Sequence, residues 1–168
     1  SILNMKIAED VYVVGIADGM GGVKGGKLAS TLTVDAVKDY IQSLSMEQFE
    51  GENLKSILSA CYDIANFCVQ KAVEKEPEYT GMGTTLSLLL IVGDMYAWAN
   101  LGDSRIYQIE GSTIDQITVD HTYIQQLSDN EMSTPDDAPA SKYDHLLTKC
   151  LDGSGAPPDI FPFDADYY

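Results

Sequence analysis

Hydrophobic positions in the first half of the chain change from a strand-like run to a helical spacing. Residues 11–17 (VYVVGIA) are rich in β-branched and aromatic side chains, which predicts a buried strand. From Lys27 onward, apolar residues recur every three or four positions and predict a long helix with the stripe Leu28, Leu32, Ala36, Val37, Tyr40, Ile41 and Leu44. A second such stripe predicts another helix that ends before Pro77, and its members are Leu54, Ile57, Leu58, Cys61, Ile64, Ala65, Cys68 and Ala72.

The next part of the chain has the pattern of short strands separated by turns. Apolar runs predict strands over residues 84–92, 95–101 and 105–110, with a further short strand over residues 114–119. Gly93-Asp94 and Gly102-Asp103-Ser104 separate these runs, and a Gly-Asp pair in such a place favours a tight hairpin. Helices and strands are segregated along the chain without βαβ alternation, which predicts an α+β fold with an antiparallel sheet.

The remaining segments carry weaker patterns. Residues 121–141 are polar and contain two prolines, so we predict a mobile surface loop there. A weak element over residues 146–151 leads to a Gly/Pro-rich tail, and residues 164–168 resemble the beginning of a strand. The length favours a single domain over residues 1–168.

Charge and cysteine content narrow the classes of function. Ten basic and 26 acidic residues give a formal net charge of −16, which disfavours nucleic acid as a partner. Most of these carboxylates are interpreted as solubilising, although a minority could gather around divalent cations. No apolar run is long enough to predict membrane insertion. Cys61 and Cys68 share a helical face and lack CxxC spacing, so packing is favoured over zinc or a disulfide, and a reduced, cytoplasmic setting is expected.

The segment Asp18-Gly19-Met20-Gly21-Gly22 is the first candidate for chemistry. It follows the predicted buried strand, and its glycines let the backbone turn sharply and approach a ligand closely. A carboxylate beside an exposed carbonyl suits a hard cation such as Mg²⁺ or Mn²⁺. On this motif alone, a glycine-rich connection with a capping Asp is the favoured alternative. A P-loop is excluded because Lys24 and Lys27 are not followed by Ser or Thr.

Two other motifs are equally ambiguous when each is taken alone. In Gly102-Asp103-Ser104-Arg105, a turn Asp and a flanking Arg often form only a local ion pair. The Asp120-His121 pair is more typical of a cap than of a catalytic pair. His121 and His145 are the only histidines and neither has a motif around it, so no Ser/His/Asp or Cys/His nucleophile is supported.

The order of these motifs along the chain is more specific than any one of them. Besides the segments at Asp18, Asp103 and Asp120, the series contains Gly25-Gly26-Lys27-Leu28-Ala29-Ser30 and Gly83-Thr84-Thr85. The ordered set resembles the PPM family, the type-2C metal-dependent Ser/Thr protein phosphatases, and specifically its bacterial members. The resemblance covers nearly the whole chain.

The resemblance implies a sandwich of two antiparallel sheets flanked by helices, with two or three Mn²⁺ or Mg²⁺ ions at one end. It implies that Asp18 bridges two metals, that Gly19 binds through its carbonyl, and that Asp103 belongs to a third, weaker site. Met20 stands where many eukaryotic members have a His proposed as general acid. The polar stretch of residues 128–140 lies where family members carry a flap over the site.

The activity implied by the resemblance is metal-assisted hydrolysis of phosphoserine and phosphothreonine in proteins. Two cations lower the pKa of a bridging water and align it with phosphorus. The expected partners are phosphoprotein substrates and a bacterial Ser/Thr kinase whose action the phosphatase opposes, and a monomer is expected.

Three further family motifs are absent from the sequence. They are an N-terminal Arg followed by Asn-Glu-Asp or Asn-Gln-Asp, a Ser-Asp-Gly turn, and a later Asp-Asn turn. We therefore expect a partial domain truncated at both ends, with little or no activity alone and with exposed strand edges and apolar faces. The alternative function is a non-catalytic PPM-like module, a pseudophosphatase that binds phosphoproteins or regulates a partner.

Overall fold

The computed structural model describes residues 1–50, 53–130, 143 and 146–162. Its helices and strands follow one another in the order β1 (Ile2–Ala8), β2 (Val11–Ile16), β3 (Gly19–Met20), α1 (Gly22–Ser43), α2 (Leu54–Lys75), β4 (Gly83–Thr84), β5 (Leu86–Val92), β6 (Met95–Leu101), β7 (Tyr107–Glu110), β8 (Thr113–Gln116), α3 (Tyr123–Asp129) and β9 (Asp159–Pro162). This order confirms the predicted α+β class.

Five strands form the main antiparallel sheet in the order β1-β2-β5-β6-β9. Two shorter ladders lie outside it, one between β3 and β4 and one between β7 and β8. Helices α1 and α2 pack against each other and on one face of the main sheet. Their common core includes the fully buried side chains of Val13, Val37, Ile41, Leu58, Tyr62, Leu86, Leu88, Leu90 and Leu101.

The opposite face of the main sheet is also largely apolar. Val14, Leu89, Trp98 and Phe161 stand in register across four strands, and the rings of Trp98 and Phe161 stack with centroids 4.4 Å apart. Phe161 is 52% exposed, and Ile2 near the β1 edge is 76% exposed. The described residues therefore leave apolar surface on this face open to solvent.

Strand β1 is an element that the sequence analysis did not predict. Its buried Leu3 and Met5 alternate with exposed Asn4 and Lys6, which is the period-two pattern of a half-buried strand. The exposed Ile2 obscures this alternation at its beginning. The strand pairs along β2, with a register irregularity between Lys6 and Ala8.

Helix α1 begins at Gly22, earlier than the predicted start at Lys27. Its first turns contain buried Gly25 and Gly26, which a search for apolar side chains overlooks. A Cβ atom on Gly26 would lie 2.6 Å from the carbonyl oxygen of Gly19, so only glycine permits this approach between helix and strand. Helix α2 is confirmed and ends before Pro77, as predicted.

The predicted strand over residues 84–92 is divided between two ladders. Thr84 pairs with Gly19 in the β3–β4 ladder, and the strand resumes at Leu86 in the main sheet. The hairpin at Gly93-Asp94 is confirmed, since Val92 pairs with Met95.

The hairpin predicted at Gly102-Asp103-Ser104 is wrong. Strand β6 pairs with β5 and β9, whereas β7 pairs with β8 in the separate ladder. Gly102 has a φ of +110°, and its amide donates to the side chain of His121 instead of to a neighbouring strand. Strand β9, which the sequence analysis assigned to no element, occupies the edge of β6.

The polar segment from residue 121 is not entirely a loop. It begins with helix α3, whose first turn is capped by the Thr122 hydroxyl accepting from the Gln125 amide at 3.3 Å. Farther along, the weak element over residues 146–151 is reduced to isolated bridges at Leu147 and Leu151. The predictions for residues 131–142, including most of the flap, and for residues 164–168 lie outside the described residues.

The three cysteines are free thiols. Cys61 is fully buried in the core, which confirms the packing interpretation for this residue and raises the pKa of its thiol to about 12, whereas Cys68 is half-buried. No helix among the described residues is long and apolar enough to cross a membrane.

Tyr62→Phe is expected to lower the free energy of unfolding by about 1–2 kcal/mol. The buried Tyr62 hydroxyl donates to the carbonyl oxygen of Leu86 at 2.7 Å, and the substitution leaves that carbonyl without this partner. Urea unfolding followed by circular dichroism measures the change. The matched control is Tyr40→Phe, because the Tyr40 hydroxyl makes no hydrogen bond within the described part of the chain. Equal losses in the two variants would contradict the prediction.

Candidate metal centre

Asp18 follows the end of β2, and its main chain is held on both sides. Its amide donates to the Thr85 hydroxyl at 3.0 Å. Its carbonyl oxygen accepts from the Thr84 hydroxyl and from the Thr85 amide, each at 2.9 Å. The exposed Asp18 carboxylate, in contrast, has no hydrogen bond or ion pair with any described residue. Asp18 therefore presents an unpaired carboxylate on a fixed main chain.

Gly19 continues this turn into β3. A Cβ atom at this position would lie 1.8 Å from the carbonyl oxygen of Gly26, which excludes any larger residue. The first turns of α1 thus lie directly against the chain that follows Asp18. Gly21 at the N-cap of α1 has a φ of +96°, a conformation that favours glycine.

Thr85 connects this turn to the one that contains Asp103. The Thr85 and Ser104 hydroxyl oxygens are 2.7 Å apart, and the same Thr85 oxygen accepts from the Asp18 amide. A Cβ atom on Gly102 would lie 2.5 Å from the Thr85 side chain, so the turn packs closely on Thr85. The structure therefore brings together two of the motifs that sequence analysis singled out, through a threonine to which it gave no role.

Two polar side chains of the main sheet, Ser87 and Asn100, form hydrogen bonds with the turn that contains Ser104. The buried Ser87 hydroxyl lies 2.6 Å from the Asn100 side-chain oxygen and 3.0 Å from the Ser104 carbonyl oxygen. The Asn100 amide nitrogen is 3.4 Å from the carbonyl oxygens of both Gly102 and Val119. These contacts fix the turn to the main sheet.

Arg105 binds Asp120 and not the neighbouring Asp103. Its Nε is 3.0 Å from both carboxylate oxygens of Asp120, and its Nη2 is 2.5 Å from one of them. Hydrogen bonding to Asp120 and Tyr107 raises the pKa of the Arg105 guanidinium above its usual range. Asp103 is left half-buried without an ion pair among the described residues. It lines a pocket of about 710 Å³ together with Arg105, Tyr107, Asp120, Thr122, Ile124 and Gln125.

His121 is not a cap, and Asp120 is not its partner. Its ring bridges two parts of the fold, with Nδ1 accepting from the Gly102 amide at 3.0 Å and Nε2 3.0 Å from Asp159 Oδ2. Asp159 is 38 residues away in sequence. No local motif could have identified this pair.

The residues present fit part of a site for a hard cation. Asp18 and Asp103 are carboxylates that have no partner among the described residues, and oxygen ligands are those that Mg²⁺ and Mn²⁺ prefer. Within the described residues, no group of three or more His, Cys, Asp or Glu side chains could hold a metal ion. Asp18 and Asp103 could thus supply only some of the ligands that one cation needs.

Comparison with known proteins places this geometry in a family context. The family model for protein phosphatase 2C matches residues 3–145. The Ser/Thr protein phosphatase PstP of Mycobacterium tuberculosis is 33% identical over 148 residues, which cover 88% of this chain and 28% of that protein. The protein phosphatase PhpP of Streptococcus pneumoniae is 32% identical over 137 residues, which cover 81% of this chain and 54% of that protein. The chain therefore spans about half or less of the length of these curated relatives.

Solved structures of bacterial phosphatases share the fold. The Ser/Thr phosphatase Stp1 from Staphylococcus aureus has a TM-score of 0.85 at 28% identity, covering 100% of this chain and 66% of that one. The catalytic domain of PstP in complex with two manganese ions has a TM-score of 0.75 at 29% identity, covering 97% and 70%. These similarities confirm the family fold inferred from the ordered motifs.

Thr85→Val is expected to lower the free energy of unfolding by about 1–3 kcal/mol, because the substitution removes a hydroxyl that serves two partly buried partners. The Asp18 amide loses its acceptor and Ser104 loses its hydroxyl contact. Urea unfolding measures the loss, and hydrogen exchange should show faster exchange of the Asp18 amide.

Thr33→Val is the matched control for this prediction. The Thr33 hydroxyl is buried in α1 and has no hydrogen-bond partner among the described residues. Its removal should be neutral or stabilising, since no partner is lost. A Thr85→Val variant as stable as Thr33→Val would show that the Thr85 hydroxyl does not hold the two turns together.

Proposed function

Because this chain belongs to the protein phosphatase 2C family, we propose that it forms part of a metal-dependent phosphatase acting on phosphoserine and phosphothreonine in proteins. The proposal rests on two carboxylates, Asp18 and Asp103, that form no ion pair within the part of the chain that the structure describes. They lie on two turns that Thr85 joins. In a chain with a net charge of −16, carboxylates left without counter-charges favour the binding of cations.

We propose that the Asp18 carboxylate and the Gly19 carbonyl bind two Mn²⁺ or Mg²⁺ ions, and that Asp103 binds a third more weakly. The two manganese ions in the PstP catalytic domain support manganese as one of the metals. When bound, such ions supply a nucleophilic water at neutral pH and offset the charge of the phosphate oxygens.

The contribution of the chain itself is to hold these ligands in place. Thr84 and Thr85 fix both sides of the Asp18 main chain. Ser87 and Asn100 hold the turn of Asp103. A ligand fixed in this way needs little reorganisation when the cation and the substrate bind, which favours preorganised catalysis.

The proposed partners are phosphoprotein substrates and a Ser/Thr kinase that the phosphatase opposes. The relatives named as protein phosphatases favour this activity over a non-catalytic binding module. We propose that residues 1–168 belong to one phosphatase domain that acts as a monomer. The free thiols of Cys61, Cys68 and Cys150 support a reduced, cytoplasmic setting.

The complete polypeptide encoded by the gene is expected to release phosphate from a phosphothreonine peptide in the presence of Mn²⁺. Asp18→Asn should lower this activity roughly 100-fold or more, because metal assistance contributes several kcal/mol to such reactions. Asp103→Asn should raise the manganese concentration needed for half-maximal activity. A coupled phosphate assay over a manganese titration measures both effects.

Asp63→Asn provides the control of equal charge change, since Asp63 is exposed on α2 and belongs to neither turn. Its activity should match that of the wild type. Phosphate release that persists in EDTA would contradict the metal-dependent mechanism. A complete polypeptide that binds the phosphopeptide without hydrolysing it at any manganese concentration would favour the non-catalytic alternative.

A further inference from the structure

The ring of His121 is enclosed between the turn of Asp103 and the first residue of β9. Only 8% of its side chain is exposed. Its Nδ1 lies 3.0 Å from the Gly102 amide and its Nε2 lies 3.0 Å from Asp159 Oδ2. Lys149 Nζ approaches the other carboxylate oxygen of Asp159 at 3.7 Å. The buried ring therefore joins Gly102 to a carboxylate on the edge strand of the main sheet.

The two contacts define which ring nitrogen carries the proton. A backbone amide can only donate, so Nδ1 must present its lone pair to Gly102. The proton of the neutral ring then lies on Nε2, from which it is donated to the Asp159 carboxylate. Asp159 thus selects the tautomer in which Nδ1 is free to accept, as an outer carboxylate does for a histidine at a metal site.

His121 forms hydrogen bonds with both the amide and the carbonyl group of Gly102. The His121 ring accepts from the Gly102 amide, and the His121 amide donates to the Gly102 carbonyl oxygen at 3.0 Å. His121 is itself held by the Thr148 amide, which donates to its carbonyl oxygen at 2.8 Å. The conformation of Gly102, with its φ of +110°, therefore depends on a paired histidine.

We propose that His121, oriented by Asp159, is a positioning residue that sets the main chain at Gly102 and thereby the cation affinity of Asp103. The cation part of this inference rests on the proposed function; the effect on Gly102 does not. His121 touches neither substrate nor cation in this role. It acts through the backbone of the residue that precedes Asp103.

Two substitutions test the contacts of the two ring nitrogens of His121 separately. In His121→Asn, the side-chain oxygen can take the place of Nδ1 and accept from the Gly102 amide, while the contact with Asp159 is lost. In His121→Gln, the side-chain amide reaches the position of Nε2 and can donate to Asp159, while the Gly102 amide loses its acceptor. We therefore expect His121→Asn to keep the hydrogen bond from the Gly102 amide and His121→Gln to lose it.

Manganese binding to the complete polypeptide is measured by electron paramagnetic resonance of the free ion, without substrate. His121→Gln should weaken the weakest class of bound Mn²⁺ about tenfold, whereas His121→Asn should stay within about threefold of the wild type, as for outer partners of metal ligands. The tighter sites assigned to Asp18 should be unchanged. Asp159→Ala should weaken this manganese binding to the same extent as His121→Gln. Asp115→Ala removes an exposed carboxylate on β8 and should leave manganese binding unchanged.

A measurement without cations decides the effect on Gly102 independently of the proposed function. In the ¹⁵N spectrum of the unsubstituted protein, His121 Nδ1 should show the shift of an unprotonated acceptor, and the Gly102 amide should exchange slowly. Exchange should become faster in His121→Gln and remain slow in His121→Asn. A wild type that binds no manganese would refute the proposed function. The effect of His121 on Gly102 would still be tested by the ¹⁵N shift and the exchange rate.

Three results would overturn the inference. They are a protonated Nδ1 in the wild type, equal acceleration of Gly102 exchange in the Asn and Gln variants, or, in a wild type that binds manganese, unchanged affinity in a folded His121→Gln variant. Thermal unfolding of each variant identifies those that remain folded. The ¹⁵N measurement needs no substitution, so it tests the inference even if a variant fails to fold.

Discussion

The Thr85 hydroxyl accepts a hydrogen bond from the Asp18 amide and lies 2.7 Å from the Ser104 hydroxyl. This one oxygen joins the ends of two strands that are not neighbours in the main sheet, β2 and β6. It can do so because the chain leaves the β3–β4 ladder at Thr84 and enters the main sheet at Leu86, which places Thr85 between the two. The close packing of Gly102 against its side chain completes the arrangement. The relative position of Asp18 and Asp103 depends on this contact.

Charge pairing around this contact is selective. Arg105 is the only basic side chain in the motif at Asp103, and it is bound at short distance to Asp120. Asp18 and Asp103 have no such partner among the described residues. A carboxylate that already binds an arginine is a poor ligand, because the cation would have to displace a charged hydrogen bond. The pairing of Arg105 with Asp120 thus leaves Asp18 and Asp103 available to the cations that we propose they bind.

The supporting contacts come from distant parts of the chain. Asn100 and Ser87 reach the turn of Asp103 from the main sheet, and His121 reaches it from the segment before α3. Asp159 brings the edge strand β9 into the same network. Buried polar groups of this kind stabilise a fold only when each finds its partner. The conformation of the turn of Asp103 therefore depends on the strands beside it, including the edge strand β9.

The sequence alone determined the elements whose pattern is local. The stripe of α2 and the run in β2 followed from side-chain periodicity, and the hairpin at Gly93-Asp94 followed from turn chemistry. The order of the glycine-containing motifs determined the family. The same local approach placed the start of α1 too late, because buried glycines carry no hydrophobic signal.

Only the tertiary structure decided which residues meet at the site. It paired β6 with β9 instead of β7, Arg105 with Asp120, and His121 with Asp159 across 38 residues. These partners carry no spacing that marks them, since contacts between distant segments depend on how strands are ordered in the sheet. The sequence thus identified Asp18 and Asp103 as candidate ligands, whereas the fold determined what holds them: a hydrogen bond forms only where packing brings donor and acceptor within reach.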